Sequence, residues 1–287
     1  MTRQTMPSWW PHSTASRFNS ASPFAWHSQW IGDSGPKILL LHGTGASTHS
    51  WAGVMTGLEH AGQICAIDLP GHGFSPVPPV GHSGLDACTR AIAAFLDQND
   101  FAPDIIVGHS AGAAIAMTLA HAAQLTPKVI CVNAAFGQFS GIAGVMFPYI
   151  AKLAAAAPFS AHILSTIAQD TDRVKRLLAG TGSQISADSL RAYCHLFQSR
   201  QHVKGTLQFM AEWDLGAFLD RLAATTIPLS LITGAHDKTV PPHISREWAG
   251  RITTAKLIEI PTYGHLIQEE APHIIVDIIL STVHEAS

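Results

Sequence analysis

Apolar strands alternating with helices, interrupted once by a long helical stretch, predict an α/β protein with a doubly wound, mostly parallel sheet and an all-helical cap insertion. Three observations carry that expectation. Short runs such as Lys37-Ile38-Leu39-Leu40-Leu41 are apolar nearly throughout, as strands covered on both faces are. These runs alternate with segments of helical periodicity, the pattern of a parallel sheet wound by crossover helices. From about residue 135 to 218 the alternation stops and only helical patterns remain. The expected division is a core of residues 1–134 and 219–287 with a cap of residues 135–218. A chain of 287 residues is long enough to bury about three quarters of its unfolded surface in such a core.

In chain order, Phe24 to Trp30 alternates large and small side chains like a half-buried strand, and Lys37 to Leu41 is the first fully buried one. Trp51 to Leu58 reads as a short helix, Gln63 to Ile67 as a strand, Leu85 to Asp97 as a helix and Asp104 to Val107 as a strand. Past the next helix, Val129 to Val132 is strand-like. The insert then offers helical patterns over Gly141–Ala157, His162–Ala168, Arg173–Ala179, Ala187–Phe197 and His202–Glu212. Leu229 to Thr233 and Lys256 to Ile260 resume the strands, and a final helix spans Ala271 to Thr282.

The chemistry concentrates at one junction. Ile105-Ile106-Val107 runs into Gly108-His109-Ser110-Ala111-Gly112 and then into the small helix formers Ala113-Ala114-Ile115-Ala116. G-x-S-x-G between a strand and a helix is a nucleophile elbow: the serine sits on a tight, strained turn, and the glycines leave room for strand and helix to meet. Ser110 is the expected nucleophile, and Ala111 N–H, at the positive end of the helix, an expected oxyanion donor. The His42-Gly43-Thr44-Gly45 turn ends an earlier strand, where the second donor belongs, and Thr44 N–H is the candidate; a plain glycine-rich loop is the alternative. Asp237 follows a late strand in Gly234-Ala235-His236-Asp237, and His265 follows the next in Pro261-Thr262-Tyr263-Gly264-His265. Serine, acid and histidine, in that order and each at a strand end, form a catalytic triad for acyl transfer. Asp68 and His72, in Asp68-Leu69-Pro70-Gly71-His72-Gly73, are read as organisers of their loop.

The insert is richer in Phe, Met and Trp than packing on a sheet requires. His42, His109, Phe136, Phe147, Phe209 and Trp213 are the expected pocket lining, with burial inside the cap's own core the alternative for each aromatic. The net charge of −3 with 13% charged residues gives no footprint for nucleic acid. Seventeen histidines show no metal-ligand spacing, so neither metal nor cofactor is expected. Four widely spaced cysteines (Cys65, Cys88, Cys131, Cys194) read as free thiols. With no secretory signal at the N-terminus, the expected compartment is the cytoplasm. The apolar stretch from Gly141 to Phe159, broken by Pro148, Tyr149 and Lys152, falls short of a membrane span but would allow peripheral contact with a bilayer.

These motifs resemble the α/β-hydrolase superfamily over almost the whole chain. Haloalkane dehalogenases and soluble epoxide hydrolases of that fold carry Asp at the elbow, so Ser110 argues against both. Within the superfamily the chain is most similar to the magnesium chelatase accessory proteins of bacteriochlorophyll biosynthesis. The resemblance runs through Trp10-Pro11-His12, Ala15-Ser16-Arg17-Phe18, the stretch from Leu39 to Trp51, the elbow, Gly180-Thr181-Gly182-Ser183, and Glu212-Trp213-Asp214-Leu215. Glu212 departs from the small polar residue expected before Trp-Asp-Leu. The resemblance implies a place in photosynthetic pigment synthesis rather than a defined reaction. Two expectations follow: a serine hydrolase acting on a small-molecule acyl or tetrapyrrole substrate, or a non-catalytic helper that binds a porphyrin or associates with magnesium chelatase.

Overall fold

The computed structural model describes residues 6–19, 24–123, 127–137, 157 and 160–284. Its eight-stranded sheet comprises β1 (Ser16–Asn19), β2 (Trp26–Ile31), β3 (Lys37–Leu41), β4 (Gln63–Ile67), β5 (Ile105–His109), β6 (Lys128–Val132), β7 (Leu229–Gly234) and β8 (Ala255–Ile260). The spatial order is β1-β2-β4-β3-β5-β6-β7-β8. β1 and β2 run antiparallel to their neighbours, and every pairing from β4 through β8 is parallel. The seven expected strands are all present. β1 is additional: it is short, mostly half-buried and polar, so neither an apolar run nor a clear alternation marks it.

Alternation within the central strands feeds two cores. Leu39, Leu41, Cys65, Ile67, Ile106 and Cys131 point to one face, where α2 (Leu85–Gln98) and α3 (Ala111–Ala122) cover them. Ile38, Leu40, Ile64, Ala66, Ile105, Val107 and Ile130 point to the other, beneath α1 (Ala52–Gly57) and a C-terminal helix, Pro272–His284. Burial of both faces is why these strands carry no polar alternation. All four cysteines are free and buried, as expected. No helix among the described residues is long and apolar enough to cross a membrane.

Between β6 and β7 the described chain is helical: α4 (Ser160–Ile167), α5 (Thr171–Ala179), α6 (Ala187–Gln198), α7 (Arg200–Glu212) and α8 (Gly216–Ala223). Asp170, Ser186 and Ser199 cap α5, α6 and α7 by accepting N–H bonds from their first turns. The helical pattern over Gly141–Ala157, Phe147 included, lies outside the described residues apart from Ala157. Helix α8 runs across the expected 218/219 boundary. Phe218 and Leu222 on α8 are buried in the core with Phe136, so this helix packs with the sheet side of the molecule. After β7 come α9 (Pro242–Arg251), α10 (Ile267–Glu270) and α11 (Pro272–His284).

The N-terminal Trp-Pro-His word laces the two parts together. Trp10 is buried against Phe74 and His49 of the core and His195 of α6, and Arg191 of α6 lies 3.9 Å over the Trp9 ring.

Candidate active site

The parallel register sets the strand ends side by side: Leu41 pairs with Gly108, His109 with Val132, Val132 with Ile232, and Gly234 with Ile260. The residues that follow each strand therefore converge on one edge, where open α/β sheets place their ligands. Gly43 and Thr44 follow β3, Ser110 follows β5, Asn133 follows β6, Asp237 follows β7 and His265 follows β8.

Ser110 is the N-cap of α3, with φ 53° and ψ −117°. A serine at positive φ is strained by about 1–3 kcal/mol, so the surroundings must fix it. Ser110 N–H donates to the Val132 carbonyl at 2.9 Å, and the Ser110 carbonyl accepts from Ala113 and Ala135. Both elbow glycines are required by contact. A Cβ on Gly108 would collide with the Gly112 carbonyl, and one on Gly112 with the Leu41 and His42 carbonyls. Ala111 supplies the first N–H of α3, which has no acceptor within the helix.

His265 Nδ1–H donates to Asp237 Oδ2 at 2.8 Å, with both side chains buried. Asp237 Oδ1 accepts from Thr239 and Val240 N–H, each at 2.8 Å. That arrangement leaves Nε2 of His265 as the free ring nitrogen. Ser110, Ala111, Thr44 and His265 all line one cavity of about 750 Å³, a volume typical of small-molecule sites.

Asn133 is a residue that sequence reasoning missed. At φ 46° it sends Nδ2–H to the carbonyls of Gly264 (3.0 Å) and His265 (2.8 Å), while Oδ1 accepts from Gly234 N–H at 2.9 Å. One amide thus ties the ends of β6, β7 and β8. Its signal was available in principle: an Asn just past a buried strand, a residue type that tolerates the left-handed region.

Of the expected pocket residues, His109, Phe209 and Trp213 line the cavity; Phe209 and Trp213 stack with ring centroids 4.6 Å apart. His109 also donates from Nε2 to the His265 carbonyl at 2.8 Å, and burial followed by the neighbouring His265 holds its pKa well below the usual imidazole range.

Two expectations are corrected. His42 is wholly buried behind the 43–45 turn, where Nε2 accepts from Leu69 N–H (2.9 Å) and Nδ1–H donates to the Gly43 carbonyl (2.8 Å). It faces the core because its ring fills the space between the ends of β3 and β4. Phe136 is also core: it packs on Phe218 and Trp248, and its carbonyl accepts from Trp248 Nε1–H. Phe147 lies outside the described residues.

Asp68 is fully buried and organises its loop as expected. It accepts from Thr48 N–H, Phe74 N–H and His27 Nδ1–H, the last at 2.6 Å. Burial alone would raise its pKa, but His27, His42 and the Phe74 amide outweigh it and hold the carboxylate ionised. His72 sits beside it, fully buried, and donates to the Pro70 carbonyl. His202 of α7 accepts from Gly73 N–H at 2.9 Å and donates to the Gly45 carbonyl at 3.2 Å, bracing the 42–45 turn from the insert.

Comparisons with known proteins agree with this architecture. The family model described as the alpha/beta hydrolase fold matches residues 36–272. The chain is 37% identical over 275 residues to the "Magnesium-chelatase 30 kDa subunit" of Rhodobacter capsulatus, covering 94% of this chain and 95% of that protein. It is 26% identical over 245 residues to a "Pimeloyl-[acyl-carrier protein] methyl ester esterase" of Neisseria meningitidis, covering 81% and 87% respectively. Among solved structures, the ligand-free epoxide hydrolase CorEH superposes with a TM-score of 0.77 at 18% identity, over 95% of this chain and 99% of that one. Sheet order, strand-end placement and the matched family model together establish that this chain belongs to the α/β-hydrolase fold family.

Proposed function

We propose that the chain is a serine hydrolase that cleaves an ester or related acyl bond in a small-molecule substrate, with a role in tetrapyrrole (bacteriochlorophyll) synthesis. One conjunction carries the reading: a strained serine at a helix N-terminus and His265, hydrogen-bonded to the buried Asp237, border the same cavity. A protein that only binds a ligand has no use for that strain beside a matched acid and base.

In this reading Ser110 Oγ attacks the substrate carbonyl while His265 Nε2 takes its proton. The oxyanion of the tetrahedral intermediate is held by the Ala111 and Thr44 N–H groups. His265 then protonates the leaving alcohol, and an acyl-Ser110 ester remains. Water, deprotonated by His265, cleaves that ester and restores the serine. Asp237 accepts from His265 Nδ1–H and so fixes the imidazole tautomer.

Residues 135–218 act as a cap over the core formed by residues 1–134 and 219–287. The lining supports a bulky apolar substrate: Leu177, Phe197, Phe209, Met210, Trp213 and Ile244 surround the cavity. A planar tetrapyrrole would stack on the Phe209–Trp213 pair. Burial pushes the Cys65, Cys88 and Cys131 thiols up and keeps them unreactive, which suits a cytoplasmic protein.

Ser110→Ala should abolish turnover of a short activated ester, with a loss of up to about a millionfold and the fold intact. Wild-type turnover in that variant would exclude Ser110 as nucleophile.

The magnesium-chelatase name of the Rhodobacter capsulatus relative favours a second reading, a porphyrin-binding or chelatase accessory protein on a hydrolase scaffold. Saturable quenching of tryptophan fluorescence by protoporphyrin, without any ester turnover, would select it.

A further inference from the structure

The backbone around the Asp237–His265 pair is not held by the sheet alone. The turn Gly180-Thr181-Gly182-Ser183-Gln184, between α5 and α6, reaches from the helical insert into the space between the loops after β7 and β8. The Thr181 carbonyl accepts from Lys238 N–H at 3.1 Å and His265 N–H at 3.4 Å. Ser183 Oγ accepts from Leu266 N–H at 2.8 Å. Gly182, at φ 87°, passes so close to the β7 loop that a Cβ there would run into the His236 carbonyl. Across the gap, a Cβ on Gly264 would meet Ser183 N at 2.5 Å. Glu270 closes the arrangement from α10: Oε1 accepts from Gln184 N–H at 2.8 Å and Oε2 from Gly264 N–H at 3.0 Å.

His236 and Lys238, which flank the acid, and Gly264 and Leu266, which flank the base, therefore all meet this one turn or the carboxylate that pins it. We propose that the 180–184 turn, clamped by Glu270, is a positioning element that sets the acid and the base relative to each other. The insert is then part of the active-site framework as well as its cover. The catalytic consequence rests on the serine-hydrolase reading; the placement of His265 against Asp237 does not. Misplacing a catalytic group by about 1 Å costs on the order of a hundredfold in rate, so such a brace matters even though none of its side chains reacts.

A simple anchor for the insert would change stability and leave the His265–Asp237 bond alone, and that separates the two roles. The His265 Nδ1 proton should give a low-field NMR signal in the full-length protein, assigned by its absence in His265→Gln. In Ser183→Ala and Glu270→Gln that signal should broaden or move upfield. Labelling by a fluorophosphonate probe should slow roughly tenfold to a hundredfold, and kcat for an activated ester should fall with KM nearly unchanged. Gly182→Ala should act more strongly; where it fails to fold, the two polar variants carry the test. A wild-type proton signal in folded Ser183→Ala and Glu270→Gln would overturn the proposal, as would loss of folding in both or absence of the signal from the wild type. An altered signal in proteins that never react with the probe would leave positioning intact and remove the hydrolase reading.

Discussion

The two halves of the site are built in different ways. On the β3–β5 side, the elbow at 108–112 and the turn at 42–45 are each built from consecutive residues, and Gly108 and Gly112 are dictated by contacts of strand with helix. On the β7–β8 side, Asp237 and His265 stand 28 residues apart and depend on distant groups: Asn133 from β6, Thr181 and Ser183 from the insert, and Glu270 from α10. A nucleophile can be specified by one local motif. An acid–base pair must be assembled from long-range bonds, each of which can be cut separately.

The comparison breaks most sharply at Gly112. Gly112→Ala places a methyl against the Leu41 and His42 carbonyls, backbone that cannot yield, so the elbow should not form. Soluble expression with wild-type thermal stability would show that the local contact is not essential.

Acid should act next. His42, His49, His72, His109 and His202 are kept neutral chiefly by burial, with His49 lowered to about 3 and His202 to about 4. Their folded pKa values lie below 6.5, so the unfolded chain binds more protons as pH falls below that value and stability is lost. Glu269, beneath Tyr193, opposes this: burial raises its pKa to about 7, so its contribution is fully present below 4.5 and is lost as pH rises through about 7. Five lowered histidines stand against one raised carboxyl, so the balance favours loss of stability as pH falls below 6.5. Four of the five histidines lie near the 42–45 turn and the 68–73 loop, so hydrogen exchange there should accelerate before exchange around β7 and β8. Uniform acceleration, or stability that does not fall as pH drops below 6.5, would contradict this.

Asn133→Ala tests the other half. It removes three buried hydrogen bonds and should destabilise the protein by about 3 kcal/mol, read from the denaturant midpoint. A change below about 1 kcal/mol would mean that β6 does not hold the His265 loop. The smallest expected effect belongs to the oxyanion turn: Thr44→Pro deletes one N–H and should lower turnover on the order of a hundredfold. An unchanged rate in the folded variant would exclude that donor.

The same contrast explains what could be read in the sequence. Buried parallel strands, the elbow and the order of serine, acid and histidine are local or periodic signals, and the strands and the family follow from them. β1 escaped because its four residues carry neither signal. His42 and Phe136 were misplaced because a residue's position beside a motif does not reveal which way its side chain points. The brace at 180–184 was visible as a word without a meaning, since its partners at 236–238, 264–266 and 270 are distant in the chain. His202 shares that fate: its bonds to Gly45 and Gly73 join segments more than 120 residues away.

The central claim is that Ser110 is an activated nucleophile at the edge of the 750 Å³ cavity. Incubation with a fluorophosphonate probe, followed by peptide mass mapping, tests it most directly. One covalent adduct is expected on the peptide carrying Gly108-His109-Ser110-Ala111-Gly112, absent from Ser110→Ala and strongly slowed in His265→Gln. No adduct, or an adduct on another serine that persists in Ser110→Ala, would contradict it.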